Sequence, residues 1–176
     1  TVGLPLPTCE VRLAEGEIQV RGPSVFREYL NRPEATAEAF TPDGWFKTGD
    51  AAEVSKDGYY RILGRNSVDI LKTGGYKVSA VEVENELRSH PGVIDVAVVG
   101  IPDPEWGDCL AAAVVLAAGG VLGELGPWLR QQLAPYKVPR FWLALPELPK
   151  NALGKTIKNE VLRSILEEIK ARAPAG

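Results

Sequence analysis

Residues 69–82 have the sequence Asp69-Ile70-Leu71-Lys72-Thr73-Gly74-Gly75-Tyr76-Lys77-Val78-Ser79-Ala80-Val81-Glu82. Short apolar runs on either side of the glycine pair predict two strands, over residues 68–71 and 76–78, joined by a tight turn. Ser79, followed three residues later by Glu82, is typical of a helix capping box. The apolar positions of the helix that follows share one face and should meet a core: Ala80, Val83 and Leu87.

The downstream sequence predicts a small α/β domain of the α+β kind. Two apolar runs, residues 93–101 and 110–117, are rich in Val and Ala and indicate buried strands. With a third strand over residues 141–145, they predict a three-stranded sheet packed by helices. The further helices are expected over residues 125–133 and after Thr156, and a frayed tail over residues 173–176.

The upstream sequence is rich in strand and turn signals. Residues 17–20 alternate polar and apolar side chains between glycines, which indicates a strand. Lys56-Asp57-Gly58 is typical of a hairpin turn, and it joins residues 51–54 to residues 59–63. The chain is therefore expected to have a β-rich first part, followed by the α/β part.

Composition excludes several classes of site. The chain has 176 residues, a net charge of −3, one histidine (His90) and two cysteines (Cys9 and Cys109). These counts disfavour a metal centre, a histidine-activated nucleophile, a disulfide and a nucleic-acid partner. No apolar run reaches the roughly 18–20 residues that a membrane helix needs. We expect a cytoplasmic protein with no metal site.

Two charged residues of the first part could bind a sugar or phosphate. Asp50 follows Thr48-Gly49, where a carboxylate could accept hydrogen bonds from the two hydroxyls of a ribose. Arg65 follows Gly64 and could bind the same ribose or a phosphate. Taken alone, each has a plainer explanation, an ordinary turn for Asp50 and a surface arginine at a domain boundary for Arg65.

Two further segments of the second part could contact a ligand. Thr73-Gly74-Gly75 leaves room for a thin ligand, although a plain hairpin turn explains it equally. Lys155 follows Gly154, and a lysine on such a loop can bring its charge onto a carboxylate or phosphate. Alternatively, Lys150, Lys155 and Lys158 form a solvated basic face.

The order and spacing of these segments resemble the acyl-CoA synthetases, which belong to the acyl-adenylate-forming (AMP-binding) enzymes. The matching segments are Thr48-Gly49-Asp50, Gly64-Arg65 and Pro149-Lys150-Asn151-Ala152-Leu153-Gly154-Lys155. The phrases over residues 21–29 and 67–80 look most like the malonyl-CoA synthetase branch. The resemblance extends over nearly the whole chain.

The resemblance implies two half-reactions and a role for each segment. ATP and a small carboxylic acid form an acyl-adenylate, with Mg²⁺ accompanying ATP, and CoA then displaces AMP. Lys155 is expected to act in adenylation, and Asp50 and Arg65 to hold the ribose of AMP or ATP. The pantetheine tunnel for CoA is expected at Thr73, Gly74, Gly75 and Tyr76. A hinge at Ser67, Val68 and Asp69 would let the C-terminal domain rotate between the two steps.

The resemblance also predicts the domain organisation. Residues 1–65 would be a β-rich remnant of the N-terminal AMP-binding domain, residues 66–69 the hinge, and residues 70–176 the mobile C-terminal domain. The family's phosphate loop and its Tyr-Gly-x-Thr-Glu motif do not occur in the sequence. The chain alone is therefore expected to be an inactive part of an acid–thiol ligase, a malonyl- or fatty-acyl-CoA synthetase, that needs its N-terminal domain.

Two alternatives remain open at this point. One is a noncatalytic module that binds nucleotide or CoA, or docks onto a separate N-terminal half. The other is an adenylation domain that loads a carrier protein rather than CoA.

Overall fold

The computed structural model describes residues 1–172, so the tail predicted at residues 173–176 lies outside the described residues. Contacts within the chain define two compact units, Thr1–Ser67 and Val68–Gly176. The division falls inside the segment 66–69, where the hinge is predicted.

The first unit is a four-stranded antiparallel sheet in the order β1-β2-β3-β4, with one short helix. Its elements are β1 (Glu10–Ala14), β2 (Glu17–Arg21), α1 (Pro33–Ala39), β3 (Phe46–Val54) and β4 (Tyr60–Arg65). The predicted hairpin is confirmed, since β3 pairs with β4. Its turn closes where the Gly58 amide donates to the Ser55 carbonyl, with Gly58 at a φ of 80°. That left-handed conformation is one that glycine adopts without a steric penalty.

The second unit has the predicted alternation of strands and helices. Its elements are β5 (Ile70–Thr73), β6 (Tyr76–Ser79), α2 (Ala80–Arg88), β7 (Val93–Asp103), β8 (Gly107–Leu116), α3 (Leu122–Gln132), a 3₁₀ turn (Pro135–Lys137), β9 (Phe141–Ala144) and α4 (Lys158–Arg172). Helix α3 begins three residues earlier than predicted and contains Pro127 in its interior. The α/β class predicted from the sequence is confirmed.

The opening stretch folds as its local signals predict. Gly74 and Gly75 have φ values of 54° and 84°, as a two-residue hairpin turn of type I′ requires. The Ser79 hydroxyl accepts a hydrogen bond of 3.0 Å from the Glu82 amide and caps α2. The predicted core face of α2 is fully buried at Ala80, Val83 and Leu87.

The sheet of the second unit has five strands, whereas three were predicted. The β5–β6 hairpin joins it because β8 begins at Gly107, where Gly107 pairs with Thr73. The Asp108 carboxylate extends this junction by accepting a 2.8 Å hydrogen bond from the Lys72 amide. A Cβ atom on Gly107 would lie 2.8 Å from the Lys72 carbonyl oxygen, so the close approach requires glycine.

Helices cover both faces of this sheet. Alternate residues of β7 point to opposite faces, so Val96 and Val98 belong to one buried cluster and Ala97 and Val99 to another. Helices α2 and α3 pack on the first face, and α4 packs on the second through residues such as Ile165. Burial on both faces explains why β7 and β8 are continuous apolar runs.

Candidate functional site

The two predicted ribose-binding residues lie side by side in the first unit. Strands β3 and β4 pair Asp50 with Arg65, and Arg65 Nε lies 2.9 Å from Asp50 Oδ1. Arg65 Nη1 also donates to the Thr48 carbonyl, at 2.9 Å. The plainer explanation of Asp50 as part of an ordinary turn is wrong, because β3 runs through Asp50 to Val54 and pairs with β4 along its second half. The pairing brings the first two predicted segments together.

The backbone around Asp50 is held by polar contacts. The Gly49 amide donates to Glu17 Oε1 at 2.8 Å, and the Thr48 hydroxyl donates to the Ile18 carbonyl at 2.7 Å. Thr48 Oγ1 also accepts a hydrogen bond of 3.1 Å from the Asp50 amide. The Asp50 side chain remains 27% exposed. A fixed and partly exposed carboxylate beside a guanidinium can accept hydrogen bonds from neighbouring hydroxyls.

A cleft of about 760 Å³ lies in the second unit. Thr73, Gly74 and Tyr76 line it, whereas Gly75 lies in the same turn and is not among the lining residues in the described part of the chain. The Gly74 amide donates to the Trp106 carbonyl at 2.9 Å. A Cβ atom on Gly74 would lie 3.0 Å from the Trp106 ring, so the absence of a side chain lets turn and ring meet.

The cleft also has cationic and aromatic residues that the sequence did not single out. They are Trp106, Arg130, Tyr136, Arg140 and Arg172. The Tyr76 and Tyr136 rings stack with centroids 4.3 Å apart, and the Arg140 guanidinium lies 4.7 Å from the Trp106 ring centre. These residues come from separate elements, so no spacing pattern could have indicated that they meet. Three guanidinium groups and several aromatic faces suit an anionic ligand with a base or ring.

Lys155 lies on a short loop before α4. The loop closes through Asn151, whose side-chain oxygen accepts hydrogen bonds from the Leu153 and Lys155 amides at 2.9 and 3.0 Å. The Lys155 carbonyl accepts a further hydrogen bond of 2.9 Å from the Asn151 amide. The Lys155 side chain is exposed, and no residue between 1 and 172 pairs with its ammonium group. An ordered loop thus carries an available cation.

The alternative of a solvated basic face is wrong for Lys158, whereas Lys150 is 47% exposed. Lys158 is only 14% exposed and lies 2.5 Å from Asp69 and 2.9 Å from Glu84. Lys150 pairs with Asp95 at 2.9 Å. Of the three lysines in this segment, Lys155 is therefore the one available to a ligand.

The Asp95–Lys150 pair yields a testable pH effect. Burial raises the pKa of Asp95, but hydrogen bonds from Lys150 and the Val96 amide, with the charges of Lys150 and Arg88, bring that pKa below its ordinary value. Since the folded-state pKa is lowered, the stabilising contribution is present at neutral pH and is lost as the pH falls through that pKa.

Lys150→Met should therefore raise the pKa of Asp95 towards its ordinary value, and the part of the stability that is lost as the pH falls should become smaller. A carboxylate NMR titration measures this, with Lys77→Met, at an exposed site, as control. If the pKa of Asp95 stayed unchanged in Lys150→Met, the ion pair would not be what lowers that pKa.

Residues 1–172 contain no group of three or more His, Cys, Asp or Glu side chains that could hold a metal ion. Cys9 and Cys109 are both free. Across the same residues, no helix combines the length and apolar character that a membrane crossing requires.

Residues 82–155 match the family model of the AMP-binding enzyme C-terminal domain. Malonate–CoA ligase ACSF3, mitochondrial, of Mus musculus is 56% identical over 153 residues, which cover 86% of this chain and 26% of that protein. Malonate–CoA ligase of Arabidopsis thaliana is 45% identical over 185 residues, with coverages of 94% and 30%. The chain thus spans about a quarter to a third of the length of these relatives.

The fold of this chain is also similar to that of solved structures. The crystal structure of ATP-bound MatB from Rhodopseudomonas palustris aligns with a TM-score of 0.84 at 34% identity, over 92% of this chain and 35% of that one. The family model's segment contains Lys155 and the cleft residues Trp106, Arg130, Tyr136 and Arg140. Residues 82–155 therefore belong to the C-terminal domain family of the AMP-binding enzymes, and the chain as a whole is similar to the C-terminal part of these ligases.

Proposed function

We propose that this chain is the C-terminal part of an AMP-forming acid–thiol ligase, which converts a carboxylate, ATP and CoA to acyl-CoA, AMP and pyrophosphate. The observation that carries the proposal is the pairing of two different features on one small unit. One is an exposed lysine on an ordered loop, and the other is a cleft lined by arginines, aromatic rings and a glycine turn. Each suits one half-reaction.

In the first half-reaction, a carboxylate oxygen of the substrate attacks the α-phosphorus of ATP, and pyrophosphate leaves. Negative charge accumulates on the phosphoryl oxygens, and the ammonium group of Lys155 would stabilise it. Asp50 and Arg65 would hold the ribose, since their 2.9 Å contact keeps an acceptor and donors together on the edge of a hairpin. Mg²⁺ would enter as part of the ATP substrate.

In the second half-reaction, the CoA thiol sulfur attacks the acyl carbonyl carbon. AMP leaves, and the thiol proton passes to solvent. The pantetheine arm would pass over Gly74, where no side chain obstructs the cleft. Arg130, Arg140 and Arg172 would bind the phosphates of CoA, and the ring of Tyr136 would face its adenine. Rotation at residues 66–69 would bring first the Lys155 loop and then the cleft beside Gly74 to the adenylate.

Malonate is the substrate we propose to test first, because similar proteins from mouse and Arabidopsis are malonate–CoA ligases. The acyl pocket would belong to an N-terminal domain, the partner that this chain needs. Fatty acids remain the alternative class. The mouse relative is named as mitochondrial, so the cytoplasmic location expected from the sequence stays a prediction.

The experiment supplies the longer protein that contains this chain with ATP, Mg²⁺, CoA and either malonate, acetate or octanoate. We expect malonyl-CoA, AMP and pyrophosphate in equal amounts, and much slower turnover of the two monocarboxylates. Release of ADP and phosphate, or no AMP with any of the acids, would refute the ligase assignment. Preference for octanoate would refute malonate alone.

A further inference from the structure

Lys158 is a nearly buried cation held between two nearly buried carboxylates. Its Nζ atom lies 2.5 Å from Asp69 Oδ1 and 2.9 Å from Glu84 Oε1. The side chains of Lys158, Asp69 and Glu84 are 14%, 16% and 7% exposed. Glu84 Oε1 also accepts a 2.9 Å hydrogen bond from the Val98 amide. Removing one member of such a cluster leaves uncompensated charge in a poorly solvated place.

The three residues come from segments that are far apart in sequence. Asp69 lies in the predicted hinge, and its carbonyl accepts a 2.7 Å hydrogen bond from the Ala80 amide. Glu84 lies in α2, and its contact with Val98 ties it to the sheet. Lys158 is the first residue of α4, three residues after Lys155. The ammonium group therefore joins the hinge, the core helix and the end of the Lys155 loop at one point.

The other end of the loop is tied to the same region. Lys150 pairs with Asp95 at 2.9 Å, and Lys150 and Thr156 form an isolated bridge at the base of the loop. Arg88 lies between the two ion pairs, 3.8 Å from Asp95 and 3.7 Å from Glu84. The stronger attachment is at Lys158, because Lys150 is 47% exposed and is screened by solvent.

We propose that Lys158 is a positioning residue that makes the hinge segment and the Lys155 loop move as one body. This inference rests on the proposed function, in which Lys155 acts in adenylation. A displacement of about 1 Å at a reacting group can cost roughly 10²-fold in rate. Lys158 limits that displacement because it fixes the loop's exit to Asp69 and Glu84. Loss of this attachment should impair adenylation, the step that uses Lys155, far more than thioester formation.

The test compares Lys158→Met, Lys158→Arg and the control Lys170→Met, an exposed site on the same helix, in the longer protein. ATP–pyrophosphate exchange reports adenylation, and thioester formation from supplied acyl-adenylate reports the second step. We expect Lys158→Met to lose about 10–100-fold in exchange and less than about 3-fold in thioester formation. Lys158→Arg should restore exchange to within a few-fold, since a guanidinium can bridge both carboxylates.

Equal losses in both steps would overturn the inference and leave Lys158 as a purely structural residue, as would Lys158→Met activity equal to the wild type. If Lys158→Met does not fold, Asp69→Asn provides the test of the positioning role. This variant removes one charge and keeps a hydrogen-bond acceptor for Lys158. It should also lose exchange selectively, and equal losses would again overturn the inference. Failure of the wild-type protein to catalyse exchange would instead refute the proposed function.

A readout independent of activity uses hydrogen exchange in this 176-residue chain. The Ile157 amide donates to the Pro149 carbonyl at 2.9 Å, beside the loop, and the Val98 amide donates to Glu84. Both amides should exchange faster in Lys158→Met than in Lys170→Met. Unchanged protection at Ile157 would contradict an attachment of the loop through Lys158.

Discussion

Replacing Lys155 by alanine is expected to slow acyl-adenylate formation by about 10²–10³-fold, the usual cost of losing one donor to a charged transition state. Thioester formation from supplied acyl-adenylate should change little. The reason is that the Lys155 ammonium group is exposed and has no partner among residues 1–172, so its removal breaks no internal contact. Its loop is ordered by the Asn151 side chain, which the substitution leaves in place.

ATP–pyrophosphate exchange and the supplied-adenylate assay measure the two steps separately in the longer protein. Lys56→Ala is the matched control, because Lys56 is an exposed lysine on the turn between β3 and β4. It should leave both rates within about twofold, as surface substitutions usually have small effects. If Lys155→Ala lost both steps equally, the adenylation role of Lys155 would be wrong.

Replacing Gly74 by alanine is expected to have the opposite effect, with a rise of roughly 10–100-fold in the KM for CoA and normal adenylation. The added Cβ would lie 3.0 Å from the Trp106 ring, so that ring would have to shift by a few tenths of an ångström on the cleft wall. Arg140 would move with it, since its guanidinium rests on the same ring. The pathway proposed for the pantetheine arm would narrow.

Gly75→Ala provides a matched control within the same turn. Both glycines have positive φ, so each substitution carries a backbone cost of roughly 1–2 kcal/mol. A Cβ on Gly75, however, would meet no atom within 4 Å. Steady-state kinetics with varied CoA should therefore separate the two variants. A KM for CoA that rises equally in both would show that turn strain, and not the Trp106 contact, controls the step.

Sequence signals that act within a few residues predicted the fold well. The Gly74-Gly75 turn and the Ser79 cap depend on neighbours along the chain, and both have the predicted geometry. The start of β8 escaped prediction because Gly107 and Asp108 are not typical strand residues. Their pairing with β5 depends on a backbone approach and a side-chain hydrogen bond from a distant part of the chain.

The candidate site also has a part that local sequence signals predicted and a part that they did not. The hairpin predicted between β3 and β4 leads directly to the Asp50–Arg65 contact, since neighbouring strands bring distant residues into register. The arginines of the cleft and the buried position of Lys158 were not predictable from spacing. Arg140 meets Trp106, and Lys158 meets Asp69, only through packing of separate elements.

The central claim is that two faces of one domain serve the two half-reactions in turn. The most direct measurement is the ratio of adenylation rate to thioester-formation rate, determined side by side at fixed, subsaturating CoA for wild type, Lys155→Ala and Gly74→Ala. We predict that the ratio falls by at least about tenfold in Lys155→Ala and rises by at least about tenfold in Gly74→Ala. Ratios that shift in the same direction in both variants, or that equal the wild-type ratio, would contradict the claim.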